Sequence, residues 1–232
     1  MNSNIAHIEK LESAIGCAFK NKDLLGEALT HRSYLNENSQ WPLPHNERLE
    51  FLGDAVLELI VSDVLYKKFP TAPEGKMTVL RAALVNYQML ARVAAGLRLG
   101  DFIFMSKGER ADTSKAREVI LANAMEALIG AIYLDGGITA TEDFTERFVL
   151  SHLQEILDTK SYKDAKSELQ ELVQERLKLT PTYRVLEESG PAHQRIFKIG
   201  VFFGDKLIAD GKGASKQEGE LEAAKKALEK YK

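Results

Sequence analysis

Three acidic residues, Glu47, Glu50 and Asp54, recur at spacings of three and four in the segment His45-Asn46-Glu47-Arg48-Leu49-Glu50-Phe51-Leu52-Gly53-Asp54. On a helix this spacing sets them on one face, while Leu49, Leu52, Val56 and Leu57 cover others. Like charges stacked in this way repel one another unless a cation sits among them, and a hard divalent ion ligated by oxygen is the natural neutraliser. A second helical stretch offers Asn123 and Glu126, one turn apart and flanked by Leu121, Ala124, Leu128 and Ile129. A polar pair in so apolar a run is costly to bury without a partner. Spacing alone leaves open an ordinary solvated acidic face, and Glu58 continues the row without being assigned as a ligand. Gly53 weighs against that alternative, because glycine inside a strong helix usually marks close approach by another backbone or a ligand. A di-iron carboxylate bundle would need Glu-x-x-His pairs. None of His7, His31, His45, His152 and His193 has a glutamate three residues before it. Oxygen-only ligation points to magnesium or manganese and to phosphate chemistry.

The elements that must carry these residues are helical over most of the chain. Ile5, Ile8, Leu11 and Ile15 recur at helical spacing, and Asp23 is positioned to cap a helix starting at Leu24-Leu25. Residues 36–44 contain Asn, Ser and two prolines and read as a loop. A strong helix is predicted from about Asn46 to Tyr66, stopping at Phe69-Pro70. Further helices follow at about 77–97, 116–134 and 139–157, with Gly136-Gly137 separating the last two. No strand-period segment precedes residue 180.

Residues 158–162 are polar and aperiodic, so the chain is divided into domains 1–157 and 163–232 joined by a short linker. Beyond it the period changes. Helical spacing at Leu169, Leu172, Val173 and Leu177 gives way to Tyr183-Val185, a turn at Gly190-Pro191, and Phe197, Ile199, Val201 and Phe203 in strict alternation. That period of two marks a half-buried strand. A hairpin turn at Gly204-Asp205 leads to Leu207-Ile208. Ser215-Lys216-Gln217-Glu218 then forms a capping box that opens a last helix. The order is α-β-β-β-α.

Composition agrees with an ordinary globular protein: 44% hydrophobic and 28% charged residues over 232 positions. Cys17 is the only cysteine, which excludes an intramolecular disulfide and a cysteine-based zinc site. No leader and no apolar run of roughly 20 residues is evident, so the expectation is a cytoplasmic protein without a membrane segment. The net charge of −3 is uneven. Residues 163–232 hold 14 Lys+Arg against 12 Asp+Glu, and the remainder 17 against 22. An acidic N-terminal part suits a carboxylate metal site and a mildly basic tail suits phosphate, though ordinary surface composition explains both imbalances equally well.

The run Asn46-Glu47-Arg48-Leu49-Glu50-Phe51-Leu52-Gly53-Asp54 resembles the signature motif of ribonuclease III. Supporting matches are Thr30-His31-Arg32-Ser33, Glu74-Gly75, Lys107-Gly108-Glu109, and the stretch Ile120 to Gly130, which is similar to the family's second metal-binding helix. The resemblance implies an all-α endonuclease domain in which Glu50, Asp54 and Glu126, joined by Asn123, hold Mg²⁺, with Mn²⁺ as a substitute. Asp54 and Glu126 would be central to catalysis, and Glu47 and Glu74 match further acidic positions with less direct roles. It also implies a homodimer through this domain, each subunit cutting one strand of double-stranded RNA. The products would carry 5′-phosphate and 3′-hydroxyl ends with short 3′ overhangs, and rRNA precursors would be among the substrates. At position 123 the family pattern has aspartate. An amide oxygen can still ligate magnesium, but it brings no charge and cannot act as a base.

The α-β-β-β-α segment resembles a double-stranded RNA-binding domain through Leu169-Gln170-Glu171, Pro181-Thr182-Tyr183, Gly190-Pro191-Ala192-His193 and Gly211 to Lys216. Such domains read duplex shape across two successive minor grooves and the phosphates between them. Gln170, Gln174 and His193 would meet 2′-hydroxyls, and Ser215 and Lys216 would offer a phosphate site at a helix N-terminus. Gln217, Glu218 and Glu220 stand where the family has a lysine cluster, which should reduce affinity. Lys107, Arg110, Lys115 and Arg117 are read as loop residues that steer the duplex or simply face solvent. The competing classes are a duplex-RNA binder without catalysis and a helical protein–protein scaffold.

Overall fold

The computed structural model describes residues 10–159, 162, 165–191 and 195–231, and it divides into two compact units, Met1–Tyr162 and Lys163–Lys232. Ile5 and Ile8, expected on the first helix, lie outside the described residues, as does His193.

The first unit is helical. Its elements are α1 (10–15), α2 (Lys22–Ala28), α3 (Arg32–Glu37), α4 (Glu47–Lys68), α5 (Glu74–Val85), α6 (Tyr87–Gly96), α7 (Lys107–Ala111), α8 (Lys115–Phe148) and α9 (Leu153–Thr159). Short 3-10 turns at Leu99–Asp101 and Leu150–His152 link the later helices. Helix α4 has no side-chain cap at its N-terminus, but Glu47 and Glu50 in its first turn and Lys67 and Lys68 in its last complement the helix dipole. Its buried face, including Leu49, Leu57, Val61 and Leu65, packs in one core with Ala122, Ala124, Met125, Leu128, Ile129 and Ile132 of α8.

The two central helices meet at glycines. A β-carbon at Gly53 would lie 1.8 Å from the carbonyl oxygen of Glu126, and one at Gly130 would lie 2.3 Å from that of Leu49. The two backbones therefore touch, and no side chain larger than hydrogen fits at either position. This contact sets α4 and α8 with Glu50, Asp54, Asn123 and Glu126 around one crossing.

Several elements differ from the reading of the sequence. The stretch expected as one helix at 77–97 is two, because Asn86 is extended (φ −67°, ψ 158°). Its side chain accepts from the Met89 amide at 2.9 Å and caps α6, a local hydrogen bond that outcompetes helix continuation. The expected break at Gly136-Gly137 is present, at Gly137 (φ 76°, ψ −174°), which kinks α8 into two helical segments. Helix α9 continues through Thr159, into the stretch expected as linker. The segment around Lys107 and Arg110, read as loop, contains α7, capped by Ser106.

By length and composition alone, one helical stretch, Lys115–Thr159, is apolar enough to cross a membrane, with an 18-residue window of mean hydropathy 1.4. Of that window 56% is buried inside the unit, as expected for a central core helix.

The second unit comprises α10 (Ala165–Leu177), β1 (Pro181–Ser189), β2 (Ile196–Phe203), β3 (Lys206–Gly213) and α11 (Lys216–Tyr231). The strands form an antiparallel sheet in the order β1-β2-β3. Leu169 and Val173 of α10, Val201 and Phe203 of β2, and Ala223, Ala224, Ala227 and Leu228 of α11 share its core. Strands β1 and β3 run past their apolar stretches at Tyr183–Val185 and Leu207-Ile208, because backbone pairing extends past the residues that bury side chains.

The helix crossing yields a stability prediction. Gly53→Ala should destabilise the chain by about 1–3 kcal/mol, because overpacking outweighs the gain of up to ~1 kcal/mol in helix propensity. Gly75→Ala, where a β-carbon meets nothing within 4 Å, should be neutral or stabilising. Urea denaturation of the two variants checks the difference, and equal midpoints would remove the steric argument.

Candidate metal and duplex-binding sites

At the α4–α8 crossing the acidic side chains are graded in exposure. Glu47 and Asp54 are exposed, and Glu50, Asn123 and Glu126 are half-buried. Burial, then the charges of Asp54 and Glu50, push the Glu126 carboxyl up to about 7. Burial and the neighbouring Glu47 and Asp54 raise Glu50 as well, against which the Asn123 side chain donates a hydrogen bond and Arg32 supplies positive charge. Glu50, Asp54, Asn123 and Glu126 are thus brought together, and their negative charge is only partly neutralised by protein groups.

Beside the crossing lies a cleft of about 450 Å³ lined by His31, Arg32, Asn46, Glu47, Glu50, Glu109 and Asn123, among others. Asn46 is buried and pins its floor: its backbone amide donates to the Thr30 carbonyl at 2.9 Å and its side-chain amide to the Ala28 carbonyl at 3.2 Å. Arg32 pairs with Glu47 at 3.5 Å on the rim. His31, Arg32 and Glu109 belong to this cleft although the spacing of charges did not mark them. Their only signal was membership of the short motifs Thr30-His31-Arg32-Ser33 and Lys107-Gly108-Glu109.

The donors at the crossing fit a hard divalent cation. They are all oxygens, they share uncompensated charge, and they lie where water reaches. Among the described residues, no three His, Cys, Asp or Glu side chains stand close enough together to hold a metal ion by themselves.

Glu74 is not part of this cluster. It opens α5, accepts from the Thr78 hydroxyl at 2.7 Å, and lines a separate groove of about 450 Å³ with Leu59, Ser62, Tyr66, Met77 and Arg81. Two of the basic residues read as steering groups are also committed elsewhere. Arg110 donates to the Ile103 carbonyl at 2.9 Å and Arg117 to the Gly100 carbonyl at 3.3 Å. Lys107 and Lys115 are exposed.

In the second unit, Gln170 and Gln174 lie one turn apart and exposed on α10, each next in sequence to a buried residue, Leu169 and Val173. Ser215 caps α11 by accepting from the Glu218 amide at 3.2 Å, and Glu218 accepts from the Ala214 amide at 2.8 Å. The Ser215 half of the expected capping box is present, while Glu218 reaches one residue further back, to the amide before the cap. Glu218 is therefore committed to the cap, and Glu220 pairs with Lys166 at 2.6 Å, so both carboxylates are tied into the domain. Lys216 lies 3.8 Å from Glu188 and over the Phe197 ring. Lys226 pairs with Glu222, while Lys212 and Lys225 are exposed.

Comparison with known proteins places both units. Residues 21–153 match the family model described as Ribonuclease-III-like, and residues 165–231 match that described as Double-stranded RNA binding motif. Ribonuclease 3 of Carboxydothermus hydrogenoformans is 47% identical over 219 residues, covering 94% of this chain and 93% of that protein. Ribonuclease 3 of Dehalococcoides mccartyi (strain ATCC BAA-2266 / KCTC 15142 / 195) is 43% identical over 224 residues, covering 97% and 94%. A crystallised nuclease domain of ribonuclease III from Campylobacter jejuni, described with a region involved in dimer formation, is 45% identical. It covers 62% of this chain and 96% of its own, with a TM-score of 0.56. A Ribonuclease-III-like unit followed by a double-stranded RNA binding motif, with relatives this similar along nearly the whole chain, places the chain in the ribonuclease III family, endoribonucleases of double-stranded RNA that depend on a divalent metal.

Proposed function

We propose that the chain cuts both strands of duplex RNA as a homodimer, using Mg²⁺ held by Glu50, Asp54, Asn123 and Glu126, with Mn²⁺ as a substitute. The observation that carries this reading is the unneutralised charge at the α4–α8 crossing, which lifts the Glu126 carboxyl to about 7. Magnesium bound there supplies charge neutralisation at the scissile phosphate and a means of activating water. The protein's own part is to keep Asp54 and Glu126 beside the reacting phosphate on two helices whose separation is fixed by backbone contact. Asn123 beside Glu50 favours the charged form of that carboxyl. Glu47, paired with Arg32, sets the charge of the rim.

Support for the homodimer comes from α4. Phe51, Leu59 and Tyr66 fall on one helical face and are 80%, 63% and 71% exposed. Large apolar side chains grouped at the surface mark an interface, and a two-fold contact pairs one patch with itself. Leu59 and Tyr66 also line the groove that holds Glu74. If Phe51 of one subunit packs into that groove of the other, Glu74 meets the partner's acidic row, which accounts for an acidic residue so far from its own cluster.

The working division is an endonuclease domain at 1–157, a linker at 158–162 and a duplex-RNA-binding domain at 163–232. In the latter, Gln170, Gln174 and His193 reach 2′-hydroxyls, and Ser215 and Lys216 meet phosphate. The products are 5′-phosphate and 3′-hydroxyl ends with short 3′ overhangs. Precursors of rRNA and other structured RNAs, messengers included, are the substrates, processed in the cytoplasm.

Three measurements test this. Glu126→Gln should lose cleavage of a long RNA duplex by orders of magnitude while duplex affinity and the melting temperature in chelator stay unchanged or rise, since a repelled charge is removed. Retained cleavage by this variant would end the metal-site assignment. Asn123→Asp should reach half-maximal cleavage at several-fold lower Mg²⁺ and melt at lower temperature in chelator, because it trades a hydrogen-bond donor for a fourth like charge. Coincident magnesium titrations would deny the amide any special role. Lys216→Ala should weaken duplex binding across sequences and flatten the log–log salt slope by about 1, the signature of one lost phosphate contact.

A further inference from the structure

His31 stands at the N-terminus of α3 as its capping residue, with its backbone amide donating to the Phe104 carbonyl at 2.9 Å. The Nδ1 atom of its ring accepts from the Ser33 amide at 3.3 Å. The same nitrogen lies 2.8 Å from the Ser33 hydroxyl oxygen, which itself accepts from the Ser106 amide at 3.0 Å. The Ser33 amide contact requires Nδ1 to be an acceptor, so the neutral ring carries its proton on Nε2. The Ser33 hydroxyl, which can donate while it accepts from Ser106, then gives its proton to Nδ1. Burial, the largest influence on this ring, favours the neutral form too.

The consequence is a fixed donor on the wall of the acidic cleft. Of the other side-chain donors lining it, Asn46 gives its amide to the Ala28 carbonyl, Asn123 to Glu50, and Arg32 pairs with Glu47. Nε2 of His31 makes no hydrogen bond among the described residues. An RNA strand entering a cleft lined by Glu47, Glu50 and Glu109 brings many oxygen acceptors, for which His31 Nε2–H and the outward N–H groups of Arg32 are the donors at hand.

We infer that His31 is a substrate-binding residue whose Nε2–H donates to a backbone oxygen of the strand being cut, with Ser33 as the positioning residue that sets its tautomer and aim. The inference rests on the nuclease reading above and deepens it. The acceptor is either a ribose 2′-hydroxyl or a non-bridging phosphate oxygen.

The experiment is steady-state cleavage of a defined RNA duplex by the full-length native chain and by His31→Ala, His31→Gln and Ser33→Ala, with melting temperatures measured alongside. Loss of one hydrogen bond should cost His31→Ala roughly tenfold in kcat/KM. His31→Gln, whose amide can reach where Nε2–H was, should recover most of it. Ser33→Ala should fall between, because the ring keeps its donor but loses its aim. Single 2′-deoxy substitutions near the scissile bond separate the two acceptors. A position where the deoxy duplex costs the native chain tenfold but costs His31→Ala nothing more identifies the 2′-hydroxyl, and no such position leaves the phosphate. Unchanged kcat/KM in His31→Ala overturns the inference, as does a loss that follows the melting temperature and is not recovered by glutamine. A native chain that fails to cut would refute the nuclease reading instead.

Discussion

The contact between the backbones of α4 and α8 at Gly53 and Gly130 governs the endonuclease unit. Helices usually pack with side chains between them, at axial separations of about 8–10 Å. Here the carbonyl of Glu126 occupies the place of a Gly53 side chain, and the carbonyl of Leu49 that of a Gly130 side chain. Removing two β-carbons brings the helices close enough for residues one turn from each glycine to share a common space. Glu50 and Asp54 flank Gly53, and Asn123 and Glu126 precede Gly130 by about two turns and one turn. The apolar residues beneath, among them Leu49, Leu57, Met125 and Leu128, hold the crossing in place by burial.

Close approach creates an electrostatic cost that the fold only partly offsets. The N-terminal end of the α4 dipole favours Glu47 and Glu50, Arg32 pairs with Glu47, and Asn123 hydrogen-bonds Glu50. Glu126, the deepest of the acids, receives none of this help and keeps its proton to about pH 7. A site that stores repulsion in this manner is preorganised for a divalent cation, since the ion relieves strain already present. The cost is borne by the large core around it. The segment from Thr30 to Ser33, stitched to Phe104 and Ser106, walls the same cleft with groups that carry no net charge apart from Arg32.

In the duplex-binding unit the same economy of charge takes another form. The helix that presents Lys216 is capped within the chain by Ser215 and Glu218, and Glu220 is held by Lys166. These carboxylates thus serve the fold. Lys216 itself lies near Glu188, an exposed pair of the kind that contributes little and yields readily to a phosphate.

Much of this was legible from residue order. Periodicity located α4 within two residues at either end, because its apolar stripe and the Phe69-Pro70 stop are local signals, and the alternation from Phe197 to Phe203 marked β2 for the same reason. The pairing of Glu50 and Asp54 with Asn123 and Glu126 was reached through the resemblance to a family, and Gly53 supplied a hint that something came close. What approached it, and that Gly130 answers it from α8, is a property of the packed helices, since a glycine reports only that space is needed. The division at Asn86 escaped periodicity because a single side-chain cap overrode an otherwise continuous apolar pattern. Glu74 shows the converse: its motif set it beside the other acids, yet in one chain it lines a different groove. Sequence by itself determined which groups are present and the local helices that carry them. Tertiary structure alone decided distances, protonation and the direction in which His31 points, because those depend on burial and on neighbours far away along the chain.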